Sequence, residues 1–386
     1  MEYIKIGDLT TVVTGGTPST SVPEYWDDGN IPWLQSGCCQ NCDVIDTEKY
    51  ITQSGYDNSS TKMMPPDTVM IALTGATAGK VGYLKFDACG NQSITGILPC
   101  ESVDQRYLFY YLMSQRSKIL SDCIGGAQPH ISQGYVKDFV VPVLPISEQH
   151  DISRKLCMID ELIETRNQQI LKLDELVKSR FIEMFGDPVF NPKLWEIAPL
   201  SSLIVTANNG MARRGKDNDG KIVLRLVELQ NGYIDYTEPN RISLTDAEEK
   251  RYRLKENDFL FARVNGNPDY VGRCAVFNEI SEPVYHNDHI IRVHFDESKI
   301  NGCFTSVLLN SDYGKRQMRE QIKTSAGQYT ISQDGIGAIM TILPPLDLQN
   351  KFSTFVEQTD KLKFEVKEAL EKLETLKKSL MQQYFG

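Results

Sequence analysis

The sequence predicts an α+β chain made of two copies of one plan, a globular region followed by a long helix, and three observations predict it. Part of the first half recurs in the second without gaps. Two stretches of about forty residues carry apolar side chains at four- and three-residue steps, and the regions before them hold short β-like runs broken by Gly, Pro, Asn and Asp. Segment 128–186 aligns with 328–386 at an offset of 200, with 16 of 59 positions identical, so the halves read as copies. A weaker echo upstream relates 67–75 to 258–266, and Val81-Gly82 to Val271-Gly272.

In chain order, residues 1–145 form the first globular region, with β-like runs over 68–73 and 80–84 and a helical stretch over 106–122. Residues 146–190 are the first arm. Ile152, Leu156, Ile159, Ile163, Ile170, Leu173 and Val177 step by four and three, skipping only Arg166, which is the seam of a coiled coil. Residues 191–342 are the second globular region, with β-like runs over 259–264 and 290–293 and a helical stretch over 302–321. Residues 343–386 are the second arm, with Phe352, Val356, Val366, Leu370, Leu373 and Leu380 in the same register, interrupted by Thr359, Lys363 and Lys377. Ser147 and Asp347 are the expected N-caps, and Gly186 before Asp187-Pro188 is the expected stop. At about 1.5 Å per residue each arm is roughly 55–60 Å long, more than one small domain covers. The two arms are therefore expected to pack against each other as an antiparallel coiled coil.

Composition narrows the function. No apolar run approaches a membrane span, and Met1 leads into polar residues without a signal-peptide core, so a cytoplasmic location away from any membrane is expected. Nine cysteines without a secretory signal fit reduced thiols. A net charge of −10 argues against a protein that grips nucleic acid alone by bulk charge.

Enzymatic motifs are missing. Residues 75–81 resemble a phosphate-binding loop but are one residue short between the glycines, and Val81 stands where Ser or Thr is required. Neither Pro-Pro pair has the flanking residues of an adenine methyltransferase, and no methyl-donor motif accompanies them. Cys38, Cys39 and Cys42 lack a second close pair to complete a zinc site, and no motif surrounds His286 and His289. No cofactor or metal is expected.

The pattern Gly7-Asp8-Leu9, Gly15-Gly16-Thr17-Pro18-Ser19, Glu24-Tyr25-Trp26, Ile31-Pro32-Trp33, Asn91-Gln92, residues 125–132 and the run 145–149 leading into an arm resembles the specificity subunit of type I restriction-modification systems, over essentially the whole chain. The resemblance implies two target-recognition domains, each reading one half of a bipartite double-stranded DNA site, with the arms as a ruler. It also implies two adenine-N6 methyltransferase subunits and ATP-dependent restriction subunits as partners, and a non-catalytic role for this chain. In the second half Asn208-Asn209-Gly210 and Asn287-Asp288 depart from the pattern, as domains reading different sequences should. A coiled-coil scaffold, or a DNA-binding protein without restriction-modification partners, is the alternative.

Side-chain chemistry nominates the DNA contacts. The first globular region has 9 basic and 15 acidic residues, so its contacts should lean on Thr17, Ser19, Gln35, Ser36, Asn91, Gln92, Gln128 and His130. The second is nearly balanced, with 19 and 20, and offers Arg213, Arg214, Lys216, Arg263 and Arg273, since Arg suits guanine edges and Lys suits phosphate. Gln128 and Gln328, in the repeated stretch, read either as base contacts or as interdomain hydrogen bonds. The basic run 250–255 reads either as a DNA contact or as a solvated face.

Overall fold

Val69–Ala72, Val81–Leu84 and Ile94–Ile97 are buried at every position. Strands covered on both faces read as continuous apolar runs rather than alternating ones. The computed structural model describes residues 2–122, 130–325 and 327–386. It gives a mixed helix and sheet chain that divides into two compact units, Met1–Gln168 with Lys367–Gly386, and Gln169–Val366.

In the first unit a five-stranded sheet runs in the order Val12–Thr14, Ile94–Ile97, Val69–Ala72, Val81–Leu84, Cys42–Val44. Its neighbours are antiparallel except for the last, parallel pair. A second sheet sets Ile31–Leu34 between Tyr50–Ile51, antiparallel, and Cys89–Gly90, parallel. Glu2–Lys5 pairs antiparallel with Val140–Val143. One buried cluster joins Ile71, Tyr83 and Ile97 of the first sheet to Tyr107, Leu108 and Tyr111, and takes in Leu156 and Phe385 from the arms.

The helix expected over 106–122 is two helices, Gln105–Ser114 and Arg116–Ser121. Gln115 separates them. Its N–H is shared between the carbonyls of Tyr111 (3.1 Å) and Leu112 (3.2 Å), and its side-chain amide donates to the Phe385 carbonyl at 3.1 Å.

The second unit is also built of mixed sheet and helix. Its larger sheet is antiparallel in the order Ile204–Asn209, Ile290–Phe295, Phe259–Ala262, Cys274–Val276. Lys221–Leu224 lies between Arg241–Ile242, antiparallel, and Val284–His286, parallel, and Glu196–Pro199 pairs with Met340–Leu343. A small sheet of Val264–Asn265, Gln328–Thr330 and Lys323–Ser325 completes it. The helix expected over 302–321 is Gly302–Asn310 and Asp312–Gln321. The Ser311 hydroxyl donates to the Leu308 carbonyl at 2.6 Å and accepts the Gly314 N–H, capping the second helix. In the core Phe304 stacks on Phe181, ring centres 5.6 Å apart, and meets Phe185 edge-on at 4.8 Å.

Each arm is one helix of 40 residues, Ile146–Phe185 and Leu346–Phe385. Ser147 and Asp347 stand inside the first turn rather than at the N-cap. The helices begin directly after Pro145 and Pro345, whose carbonyls accept the N–H groups of Gln149 (3.1 Å) and Gln349 (3.2 Å). Gly186 ends the first arm at φ +79°, where a Cβ would lie 2.7 Å from Pro192 Cγ.

Of the expected packing positions, Ile152, Leu156, Ile159, Phe352 and Val356 are buried. Ile163, Ile170, Leu173, Val177, Val366, Leu370, Leu373 and Leu380 are half-buried. Two of the residues that interrupt the second arm's stripe are ion-paired, Lys377 with Asp160 at 2.5 Å in the first unit and Lys363 with Asp174 in the second, while the Thr359 hydroxyl donates to the Phe355 carbonyl at 2.9 Å. Within the first unit Lys155 lies 6.0 Å from the Tyr384 ring, and within the second Arg180 lies 5.7 Å from the Phe355 ring. In each unit, later residues of one helix thus meet earlier residues of the other, so the paired segments run in opposite directions.

Candidate nucleic-acid interface

The loops nominated from the sequence are built around two close backbone approaches. In the first unit a Cβ on Gly15 would lie 2.0 Å from the Gly90 carbonyl oxygen, so only glycine lets the loop after Val12–Thr14 pass there. Gly16 N–H then donates to Gly90 O at 2.8 Å, and Asn91 N–H to Leu34 O at 2.9 Å. Asn91 Oδ1 accepts the Ser93 N–H at 3.1 Å, so this side chain, half-buried, shapes the turn. The Thr17 hydroxyl donates to Gln92 Oε1. Gln35 is exposed directly after Leu34, and Ser36 opens the short turn Ser36–Cys38. Ser19 accepts the Trp26 indole N–H on its carbonyl at 3.1 Å. Leu73 N–H donates to Ser93 O, and Thr74 bridges to the exposed His130. Backbone bonds therefore draw Thr17, Gln92, Gln35 and His130 toward one set of loops. Gln128 lies outside the described residues.

The second unit has the same frame with other side chains on it. A Cβ on Gly210 would lie 2.3 Å from the carbonyl oxygens of His286 and Asn287. Asn287 N–H donates to Leu224 O at 3.0 Å, and Asn287 Oδ1 accepts the His289 N–H at 3.1 Å, the role Asn91 plays in the first unit. Where Gln92 accepts from Thr17, Asp288 accepts Arg214 Nη2 at 2.7 Å, and the same guanidinium lies 3.0 Å from His289 Nε2. Arg263 Nη1 donates to the Asp288 carbonyl at 3.2 Å. Arg213 pairs with Glu248 at 3.2 Å and donates to Ser243 O. Its partnership, with the Thr245 hydrogen bonds, holds the Glu248 carboxyl below its usual range, the Thr245 bonds being the larger cause. Lys216 and Gln328 are exposed. Arg273 is different: it is half-buried, 3.8 Å over the Tyr270 ring and bonded to Gln230 Oε1 at 3.2 Å, which makes it part of the domain wall.

The structure also assembles a site that the sequence did not single out. Asn208, Asn209, Gly210, Arg251, Tyr252 and Gln333 line a cleft of about 320 Å³. Its signals were present separately, in the basic run 250–255 and in the repeated stretch that contains Gln333. The fold sorts that run, placing Arg251 and Tyr252 at the cleft, Leu254 in the core, and the Arg253 carbonyl on Arg292 Nη1 at 2.8 Å. Behind Tyr252, His286 is fully buried with Nδ1 3.2 Å from the Tyr252 carbonyl, and burial pushes its pKa down to about 4.

Residues 75–81 form a turn between the antiparallel strands Val69–Ala72 and Val81–Leu84, with Gly75 and Gly79 at positive φ. A strand follows instead of the helix whose N-terminus a phosphate loop uses. Cys39 packs in the core with Leu34 and Met70, and among the described residues no group of three His, Cys, Asp or Glu is arranged to hold a metal ion.

Residues 1–174 match the family described as Type I restriction modification DNA specificity domain. The StySPI type I restriction enzyme specificity subunit of Salmonella potsdam is 26% identical over 404 residues, covering 98% of this chain and 87% of that one. The EcoKI specificity subunit of Escherichia coli (strain K12) is 22% identical over 408 residues, again with 98% and 87% covered. Among solved structures, the type I restriction-modification S subunit from M. genitalium aligns with a TM-score of 0.62 at 15% identity, covering 100% of this chain and 96% of that one. That last likeness is one of fold.

Proposed function

We propose that this chain, like the relatives it is similar to, is a type I restriction-modification specificity subunit and that it recognises a bipartite double-stranded DNA site, each globular region reading one half. The observation that carries this reading is the shared frame with unlike chemistry. The turn asparagines Asn91 and Asn287 make the same bonds, yet the next residue ties down a threonine in one unit and an arginine in the other. One scaffold holding different donors and acceptors is what two different half-sites require.

In this reading residues 1–145 and 191–342 are the target-recognition domains, and 146–190 and 343–386 form an antiparallel coiled coil that sets the spacing between half-sites. Thr17, Ser19, Gln35, Ser36, Gln92, Gln128 and His130 serve one half-site. Arg213, Arg214, Lys216, Arg263 and Gln328 serve the other, while Asn91 and Arg273 shape the loops. The chain is non-catalytic and cytoplasmic. It delivers two adenine-N6 methyltransferase subunits and ATP-dependent restriction subunits to the site. Supporting a partner present twice, the leucines Leu162 and Leu362, and Leu176 and Leu376, are identical at the repeat offset and 46–52% exposed. No described helix is long and apolar enough to cross a membrane.

The test is to produce the full chain with its methyltransferase and map N6-methyladenine across a host genome. The expected result is one bipartite motif with a fixed spacer. Methylation without a motif, or a motif of a single undivided half, contradicts the reading.

A further inference from the structure

Asn209 and Gln333 meet in the cleft of the second unit, where Gln333 Nε2 donates to Asn209 Oδ1 at 3.2 Å. That bond uses the donor of one amide and the acceptor of the other. Gln333 Oε1 and Asn209 Nδ2 are left, an acceptor and a donor held together. Both sit on regular elements, Asn209 on strand Ile204–Asn209 and Gln333 at the start of helix Gln333–Gly337. Such positions hold side chains more firmly than loops do. Arg251 completes the cleft with its guanidinium 5.3 Å from the Tyr252 ring. In the first unit the corresponding Gln133 instead donates to the Val12 backbone carbonyl at 3.0 Å.

Resting on the reading of the chain as a DNA-recognition subunit, we propose that this cleft reads one A·T pair in the major groove of the second unit's half-site. Gln333 Oε1 accepts the adenine N6–H, Asn209 Nδ2 donates to adenine N7, and Arg251 holds a neighbouring phosphate. Adenine presents a donor beside an acceptor in the major groove, whereas guanine presents two acceptors and thymine an acceptor beside a methyl group. Cytosine presents its N4–H donor alone, so among single base edges only adenine satisfies both free amide groups. A phosphate would satisfy Arg251 and Asn209 but would set its oxygens against Gln333 Oε1.

The experiment uses the complex of the full chain with its methyltransferase, and variants Asn209→Asp, Gln333→Ala and Arg251→Ala. Each is incubated with a random pool of double-stranded oligonucleotides, and the bound fraction is sequenced. The wild-type motif is expected to contain a fixed adenine in one half. Asn209→Asp and Gln333→Ala should each relax selection at that position by about tenfold or more, with the remaining positions of the same half-site as the internal measure of folding. Arg251→Ala should weaken binding to all sequences and lower the slope of log K against log salt by about one.

A motif unchanged in both amide variants overturns the base contact and leaves the subunit's function standing. Loss of the entire half-site in both variants also overturns it, since one contact carries one position. A wild-type complex that selects no sequence overturns the function itself.

Discussion

Gln149 Oε1 accepts the backbone N–H of Asp104 at 2.9 Å, and its Nε2 donates to the carbonyls of Leu144 (2.8 Å) and Ser102 (3.4 Å). Asp104 is the N-cap of helix Gln105–Ser114, so one buried amide ties the arm to the core helix. In the second unit Gln349 accepts from Asn301 N–H at 2.8 Å and donates to Pro344 O (2.7 Å) and Lys299 O (3.2 Å), with Asn301 capping Gly302–Asn310. An amide alone supplies both an acceptor and two donors, which explains why the repeat keeps glutamine here.

Replacing Gln149 by Leu leaves a buried N–H and two carbonyls without partners. A cost of about 2–4 kcal/mol is expected, seen as an earlier denaturation of the first unit. Gln149→Glu should be comparably costly, since a carboxylate cannot donate to Leu144 O. Stability within about 0.5 kcal/mol of wild type for both variants would remove the latch from the account.

Asp160 accepts from the Tyr110 hydroxyl at 2.7 Å as well as from Lys377. Burial first, and the Asp160 charge second, push the Tyr110 phenol far above its usual range, so it remains a donor at any physiological pH. With the Lys377 and Asp160 side chains 24% and 36% exposed, the pair lies between the surface and buried regimes. Lys377→Met is expected to cost about 1–2 kcal/mol. A double-mutant cycle with Asp160→Asn should show coupling between them, and additive effects would refute it.

His286 gives the second unit an acid-sensitive term. An unfolded chain binds this proton near pH 6.5, the folded chain only near pH 4, because burial and then Arg292 disfavour the charged ring. The stability it contributes is full above pH 6.5 and is lost as pH falls toward 4, up to about 3 kcal/mol across that window. Denaturant titrations at pH 7.0, 5.5 and 4.5 should show the decline, and His286→Gln should flatten it. Parallel curves for the two proteins would refute the assignment.

Arg214 is positioned by Asp288 and His289 before any DNA arrives. Arg214→Ala should cost about 1–3 kcal/mol and relax one half-site only. Equal loss at both half-sites in methylation mapping would show a general charge effect instead.

The arms were legible because a period sustained over forty residues leaves no other structure, and even their interruptions follow it, with Lys363 and Lys377 paired to acids on the other helix. Their starts were misplaced by one or two residues because a proline carbonyl opens the helix and leaves Ser147 with nothing to cap. The breaks at Gln115 and Ser311 were hidden, since each is decided by bonds that short-range periodicity does not report, such as Gln115 to the carbonyl of Phe385. Individual loop residues were legible as types but not as pairs. Thr17 finds Gln92, and Arg214 finds Asp288, only through the close passage of Gly15 and Gly210 against another loop. The cleft escaped for the same reason, its walls coming from three segments distant in sequence.

Phe385 packs edge-on against Tyr107 at 5.4 Å and Tyr111 at 5.8 Å, in the core of the unit that contains the N-terminal residues. During synthesis on a ribosome, the part made first waits for residue 385 before the side of its core at Tyr107 and Tyr111 is covered. Gln169–Val366 is one continuous segment and can finish earlier. Closing so long a loop costs only logarithmically more entropy than closing a short one, so the penalty is one of timing rather than of stability. Until then the first region presents an open apolar surface to other nascent chains, and a product cut short within its last twenty residues leaves that side of the core uncovered, without Phe385 and the flanking Leu380, Met381 and Tyr384.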